Sequence, residues 1–300
     1  MCRKLALAAT ALIGAAFSLA VLGPAQAAPA AAPSAQPASM TPVAAPASAA
    51  SAPAAKPPRR KATPEERAAA ERLSPLARAA FWNREADVDP TDQVAGVRLA
   101  SALRALGQNE QAADAAQRVL VIAPDNIDAL METARAYVAA GQGFYAIAPA
   151  EHVRKLAPKD WRPVSLLGVA YAQVRRGDDA MTAWRDALAL SPDNPSVLSN
   201  MAMELVARGD APQAETLLRR AVAQPTASLQ VRQDLTLVLG VQGKLTEAEQ
   251  RLRIDLPPDQ ADADLAYLKA VSQGAAPGPA AAAVPPSARS WSTVKGSGGG

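Results

Sequence analysis

The chain has 300 residues, with 31 lysines and arginines against 28 acidic residues and aromatics at only 4%. That balance excludes the strong basic field that recruits nucleic acid. Alanine and proline crowd both ends, so the length fits one elongated helical domain between disordered flanks better than two globular domains.

Residues 1–27 read as a secretory signal. Arg3 and Lys4 are followed by the apolar run Leu5 to Leu22, the helix-breaking Gly23-Pro24 and an Ala25-Gln26-Ala27 cleavage site. The run is near the lower length limit for a membrane span, so a retained anchor helix stays open; the cleavage site and the tract after it favour removal and a periplasmic location. No other stretch is apolar enough to span, so no stable membrane insertion is expected after cleavage. Removal takes Arg3, Lys4 and the single cysteine, Cys2, and lowers the formal charge from +3 to about +1 (3 − 2). No thiol then remains for a disulfide, a metal site or a nucleophile. Residues 28–62 form an Ala/Pro/Ser tether that favours polyproline II. It ends in Lys56-Pro-Pro-Arg-Arg-Lys61, either a solvated linker end or a contact for anionic lipid or cell-wall polymer.

Helices are expected from residue 63. Segment 63–92 reads as a degenerate hairpin: Thr63, Pro64 and Glu66 form an N-terminal signature, Ser74-Pro75 starts a second helix, and Phe81-Trp82 should press on the next hairpin. Arg78 and Glu85 stand where later segments have small residues. Hairpins 93–126, 127–160, 161–194 and 195–227 come after it, then a similar segment at 228–256. In the third, Leu167-Gly168 and Tyr171 share one helix face, and Ala180, Trp184 and Ala187 recur at helical spacing on the next. Gly168 and Ala180 allow close approach, and Tyr171 and Trp184 fill the space beside them. Pro149 lies inside the second helix of its hairpin, which predicts a late start near Ala148 or a kink. Segment 257–273 reads as a capping helix with Asp259 as its N-cap. Residues 274–300 form a tail carrying Trp291.

Pro90, Pro124, Pro158 and Pro192 are evenly spaced (124 − 90 = 158 − 124 = 192 − 158 = 34), and Pro225 falls one residue early. The period and its Gly/Ala and Tyr/Trp positions resemble the tetratricopeptide repeat. The resemblance implies an all-α superhelical solenoid of helical hairpins, with a concave face lined by the first helix of each pair. Offsets of three, four and three along those helices single out Val97, Arg104, Met131, Arg135, Val138, Arg162, Val169, Ser199, Met203 and Gln233 as a groove for a protein segment. The lining is apolar and neutral-polar with a small basic patch, which suits an apolar or mildly acidic peptide. Asn200 resembles the asparagine of carboxylate-clamp repeats, but the matching cationic ring is absent.

The residues give little support to catalysis. His152 is the only histidine and lies beside Arg154 and Lys155. Asp255, Asp259, Asp262 and Asp264 lack the glycine and terminal glutamate of a calcium loop, and Gly141-Gln142-Gly143 reads as an interhelix turn rather than a phosphate loop. No cofactor or metal is expected.

A further likeness rests on Val231-Arg-Gln-Asp-Leu-Thr-Leu-Val-Leu-Gly240, Gln242-Gly-Lys244, Ala248-Glu249, Asp255-Leu-Pro-Pro258 and Ala263-Asp-Leu-Ala-Tyr-Leu268. Asp160-Trp-Arg162, Leu166-Leu-Gly168 and the run from Ala214 to Pro225 add to it. From about Phe81 to Val271 the chain resembles the TadD assembly factors of tight-adherence (Flp-type) pili. That resemblance implies a periplasmic adaptor, peripheral to the outer membrane, whose protein partners are the pilus secretin or other secretion components. Such proteins are commonly lipoproteins. This chain has no cysteine at position 28, which favours a soluble periplasmic form. An adaptor for cell-wall enzymes or polysaccharide export is the alternative reading.

Overall fold

The structure, a computed structural model, describes residues 60–273. The expected signal, the expected tether up to residue 59 and the expected tail from residue 274, with Trp291, lie outside the described residues. Those described form thirteen helices and no strand. A short α1 (Pro64–Ala70) precedes α2 (Pro75–Val88). Five pairs come next: α3 (Gln93–Ala105) with α4 (Asn109–Ile122), α5 (Ile127–Ala139) with α6 (Gly143–Leu156), α7 (Trp161–Gln173) with α8 (Gly177–Leu190), α9 (Pro195–Ala207) with α10 (Ala211–Val222), and α11 (Leu229–Val241) with α12 (Leu245–Asp255). The last helix is α13 (Pro258–Ser272). Below, the first helix of each pair is the A helix and the second the B helix.

The repeated boundary chemistry explains the repeated geometry. Each A helix is preceded by a side chain that accepts a hydrogen bond from its first turn: Asp92 from Ala95 N–H, Asn126 from Ala129, Asp160 from Arg162, Asn194 from Ser196 and Val197, and Ser228 from Val231. Such a cap is worth about 1 kcal/mol. Every A helix ends with a residue in the left-handed region, and the next N–H reaches back over more than a turn to a helix carbonyl, as Gln108 N does to Leu103 O at 3.0 Å and Lys244 N to Leu239 O at 2.9 Å. Four of these left-handed residues are glycine: Gly107, Gly141, Gly209 and Gly243. The fifth is Arg175, at φ 62°.

These signals keep the A helices on one constant interval, with starts at Gln93, Ile127, Trp161, Pro195 and Leu229, although Pro225 comes early. The difference is absorbed at α10, which has 12 residues where α8 has 14, and in the longer link 223–228. The register extends backwards as well. Pro75, the start of α2, precedes Asn109, the start of α4, by the same interval, so α2 is a B helix whose partner has shrunk to α1.

Two expectations need correction. The late start of α6 near Ala148 is not seen: the helix runs from Gly143 to Leu156 with Pro149 inside it. The ring deprives only the carbonyl of Tyr145, an exposed residue, of its helix donor, while Ala146, Ala150 and Val153 stay fully buried and hold the helix in place. Asp259 is not the N-cap of α13: Pro257 holds that place, Pro258 opens the helix, and Asp259 sits in its acidic first turn.

Packing alternates small with large. One buried, mainly aliphatic cluster runs from α7 to α12, and Leu265 and Leu268 of α13 close it at the C-terminal end. A Cβ on Gly240 would lie 2.4 Å from Leu268 Cδ2, so that glycine makes room for the closing helix. At the other end, Trp82 packs with Ala95, Leu99 and Ala100. Glu85, fully buried where the following pairs place Val119 and Val153, is neutralised by Arg67 at 2.9 Å and accepts from Ala62 N–H.

Candidate partner-binding face

Each A helix touches the A helix of the next pair, from α3 through to α11. Corresponding positions on these helices therefore form one continuous face. Of the residues singled out from the sequence, Arg162 is exposed and Val97, Arg104, Arg135, Val169 and Met203 are half-exposed. Met131, Val138, Ser199 and Gln233 are buried and contribute little surface.

The arginines on this face are already paired. Arg104 Nε on α3 donates to Glu132 Oε2 on α5 at 3.0 Å, and Arg135 donates to Glu132 Oε1 at 2.8 Å. One buried carboxylate thus ties two adjacent A helices and orients both guanidinium groups. Arg162 clasps Asp160 through Nε and NH2, with a shortest distance of 2.7 Å. Burial alone would raise the Asp160 pKa, but hydrogen bonds from the Arg162 side chain and backbone hold it below the usual range. The small basic patch expected from sequence is therefore a set of preorganised pairs, three arginines against Glu132, Asp160 and the exposed Asp128. Such a surface is close to neutral and rich in fixed donors.

Further along the face, Ser199 Oγ on α9 donates to Asp234 Oδ2 on α11, and Gln230 Nε2 donates to Asp234 Oδ1 at 2.8 Å. Burial pushes the Asp234 pKa up, only partly opposed by these two donors. Glu132, Asn200 and Asp234 occupy the same repeat position in their pairs, and none was among the groove residues picked from the sequence. Each follows a groove residue by one place. Glu132 and Asp234 are buried and Asn200 is half-exposed, so the first two anchor neighbouring side chains rather than widen the face.

The remaining sequence candidates lie elsewhere. His152 Nε2, on α6, meets the exposed Asp125 Oδ1 at 2.9 Å. Asp255 is paired with Arg232 at 2.7 Å and Asp262 with Arg253 at 3.0 Å. Among the described residues no group of three or more His, Cys, Asp or Glu side chains could hold a metal ion. No described helix is long and apolar enough to cross a membrane.

No protein-family profile matches the chain, and no curated protein matches it. Solved structures do. A thermophilic tetratricopeptide-repeat protein of Thermus thermophilus is 21% identical, with a TM-score of 0.53 over 59% of this chain and 98% of that one. A tetratricopeptide-repeat protein of Parabacteroides merdae is 12% identical, with a TM-score of 0.57 over 65% of this chain and 77% of that one. MamA from Desulfovibrio magneticus RS-1 aligns at 22% identity and a TM-score of 0.46, over 51% of this chain and 86% of its own. Identities of this size establish the fold alone. The described chain is a tetratricopeptide-repeat solenoid.

Proposed function

We propose that this chain is a non-catalytic protein-interaction scaffold of the bacterial envelope that assists Flp/Tad-type pilus assembly by holding partner segments against the A-helix face. The observation that carries this reading is the A-helix layer itself. Preorganised arginines at α3, α5 and α7 sit on one face with the half-exposed Val97, Val169 and Met203, which is the mixture of apolar anchors and fixed donors that grips a peptide. The signal-like N-terminus supports the envelope location. The likeness of the segment from Val231 to Leu268 to pilus assembly factors supports the more specific role. The secretin or another secretion component is the proposed partner, and no nucleic acid or cofactor takes part.

Affinity capture from envelope extracts of the native host, using the mature chain as bait, tests the proposal. Recovery of a pilus secretion component is expected. Recovery of cell-wall or polysaccharide-export proteins instead would leave an envelope scaffold but refute the pilus role. Replacing Arg135 and Arg162 together by glutamate should weaken capture while the helical circular-dichroism signal persists, since Arg135 is only partly buried and Arg162 is exposed. Unchanged capture would place the contact off this face.

A further inference from the structure

Phe144 and Tyr145, in the first turn of α6, are 71% and 59% exposed. They serve no core. In the other pairs the same two positions hold Glu110-Gln111, Asp178-Asp179, Pro212-Gln213 and Thr246-Glu247, so the fold itself asks for polar or helix-starting residues there. The rings are nevertheless held in place. Tyr145 packs on Tyr137 with centroids 5.5 Å apart, Phe144 meets Tyr145 edge-on at 5.5 Å, and Gln117 Nε2 donates to the Tyr137 hydroxyl at 2.6 Å. Two fixed and uncovered aromatic rings are the profile of a binding anchor.

The surroundings indicate what binds. From residue 106 to 117 and from 141 to 153, the loops and early turns of α4 and α6, the chain carries Glu110, Asp114 and Glu151 and no lysine or arginine; Arg118, Arg154 and Lys155 come after them, toward the far ends of the two helices. A surface cleft of about 300 Å³ opens at the same edge of the stack, lined by residues 107–111 and Ala140. Glu110 is in that lining, and so is Asn109, whose Oδ1 is buried with no hydrogen-bond donor among the described residues. The next pair shows how such a ring is satisfied. Tyr171, one repeat after Tyr137, carries the guanidinium of Arg176 at 4.5 Å from its centroid and donates its hydroxyl to Glu151. Arg84 lies over Phe81 in the same manner at 5.1 Å. In the second pair the chain supplies no such arginine.

We propose that this edge, where α4 and α6 begin, is a second docking surface that takes an arginine-bearing segment of a partner protein. A guanidinium stacks on Phe144 or Tyr145, and Glu110 and Asp114 supply the counter-charge. The surface is separate from the A-helix face, so both could be engaged at once.

The test uses the full chain and a fluorescein-labelled peptide of alternating arginine and serine, followed by anisotropy; a glutamate–serine peptide is the control. One variant is Phe144→Thr with Tyr145→Gln, residue types found at these positions in other pairs. A second, Glu110→Gln with Asp114→Asn, leaves the rings intact and serves if the first fails to fold. The arginine peptide should bind the wild type and the glutamate peptide should not. Affinity should fall about tenfold in the aromatic variant, and in the charge variant it should fall at low salt more than at high salt. Equal affinity of the wild type and either variant, or equal binding of the glutamate peptide, would overturn the proposal. A wild-type dimer that the aromatic variant abolishes, seen by sedimentation velocity, would assign the edge to a second copy instead and overturn it as well.

Discussion

Gly168 and Trp184 offer a quantitative test of the packing. A Cβ placed on Gly168 would lie 2.3 Å from Trp184 Nε1 and 2.5 Å from Cδ1. Carbon contacts are comfortable at about 3.5–4.0 Å, so the ring would have to move by roughly 1 Å or more. It has nowhere to go: Trp184 is 2% exposed and its Nε1 donates to Ser165 O at 3.1 Å. Overpacking of this kind costs about 1–3 kcal/mol, against roughly 1 kcal/mol gained when alanine replaces glycine in a helix, so Gly168→Ala should lose up to about 2 kcal/mol net. Trp184→Leu alone should lose about 2–3 kcal/mol to the space left behind. The same two positions in the next pair hold Ala202 and Leu218, both fully buried, which shows that alanine and leucine fit together there. The clash disappears in the double variant, which should therefore be no worse than Trp184→Leu alone, a coupling of about 1–3 kcal/mol. Urea unfolding followed by circular dichroism gives the four midpoints. Losses that simply add, within about 0.5 kcal/mol, would refute the packing argument.

Arg175 occupies the left-handed position that glycine fills in the other four pairs, and its side chain is exposed; Arg175→Gly should stabilise by about 0.5–1 kcal/mol, read from thermal unfolding, and a loss would contradict the strain. Glu215 is held down to about 2 from the usual 4.5: burial works against this, but Lys244, Arg219 and Gln242 prevail. Its stabilisation is complete above about pH 4.5 and should fade as pH falls toward 2; Glu215→Gln should flatten that part of an acid-unfolding profile, and an unchanged profile would disprove the linkage. Asp234 has the opposite sign, because burial raises its pKa and its ionised form opposes folding. Asp234→Asn keeps partners for Ser199 and Gln230, so it should raise stability at neutral pH and have progressively less effect in acid; lower stability at pH 7 would show that the charge is needed.

The architecture was legible because its signals are local and repeated. Asn126, Asp160 and Asn194 cap the next helix shortly after a proline, and Gly107, Gly141 and Gly209 end the A helices with φ near +75 to +84°. Pro149 does not delay the start of α6, because the buried Ala146, Ala150 and Val153 favour continuity over the late start that local propensity suggests. The binding face was legible only in part. Offsets located the A helices but missed Glu132 and Asp234, whose burial is tolerated only because Arg104, Arg135, Ser199 and Gln230 come from a neighbouring helix or turn. Pairing across 28 or 35 residues leaves no mark in a short window. Phe144 and Tyr145 carried a signal that was there to read, two aromatics at positions otherwise polar, but it becomes informative only once their exposure is known.

The account depends most on the A-helix layer being where a partner lies. Site-specific photocrosslinking in the native host, with the reactive residue at Arg135 or Met203 and a control at the exposed Thr182 of α8, tests this directly. The account predicts adducts of one Flp/Tad secretion component from positions 135 and 203 and none from 182. Adducts equally abundant at all three positions, or absent from the first two, would contradict it.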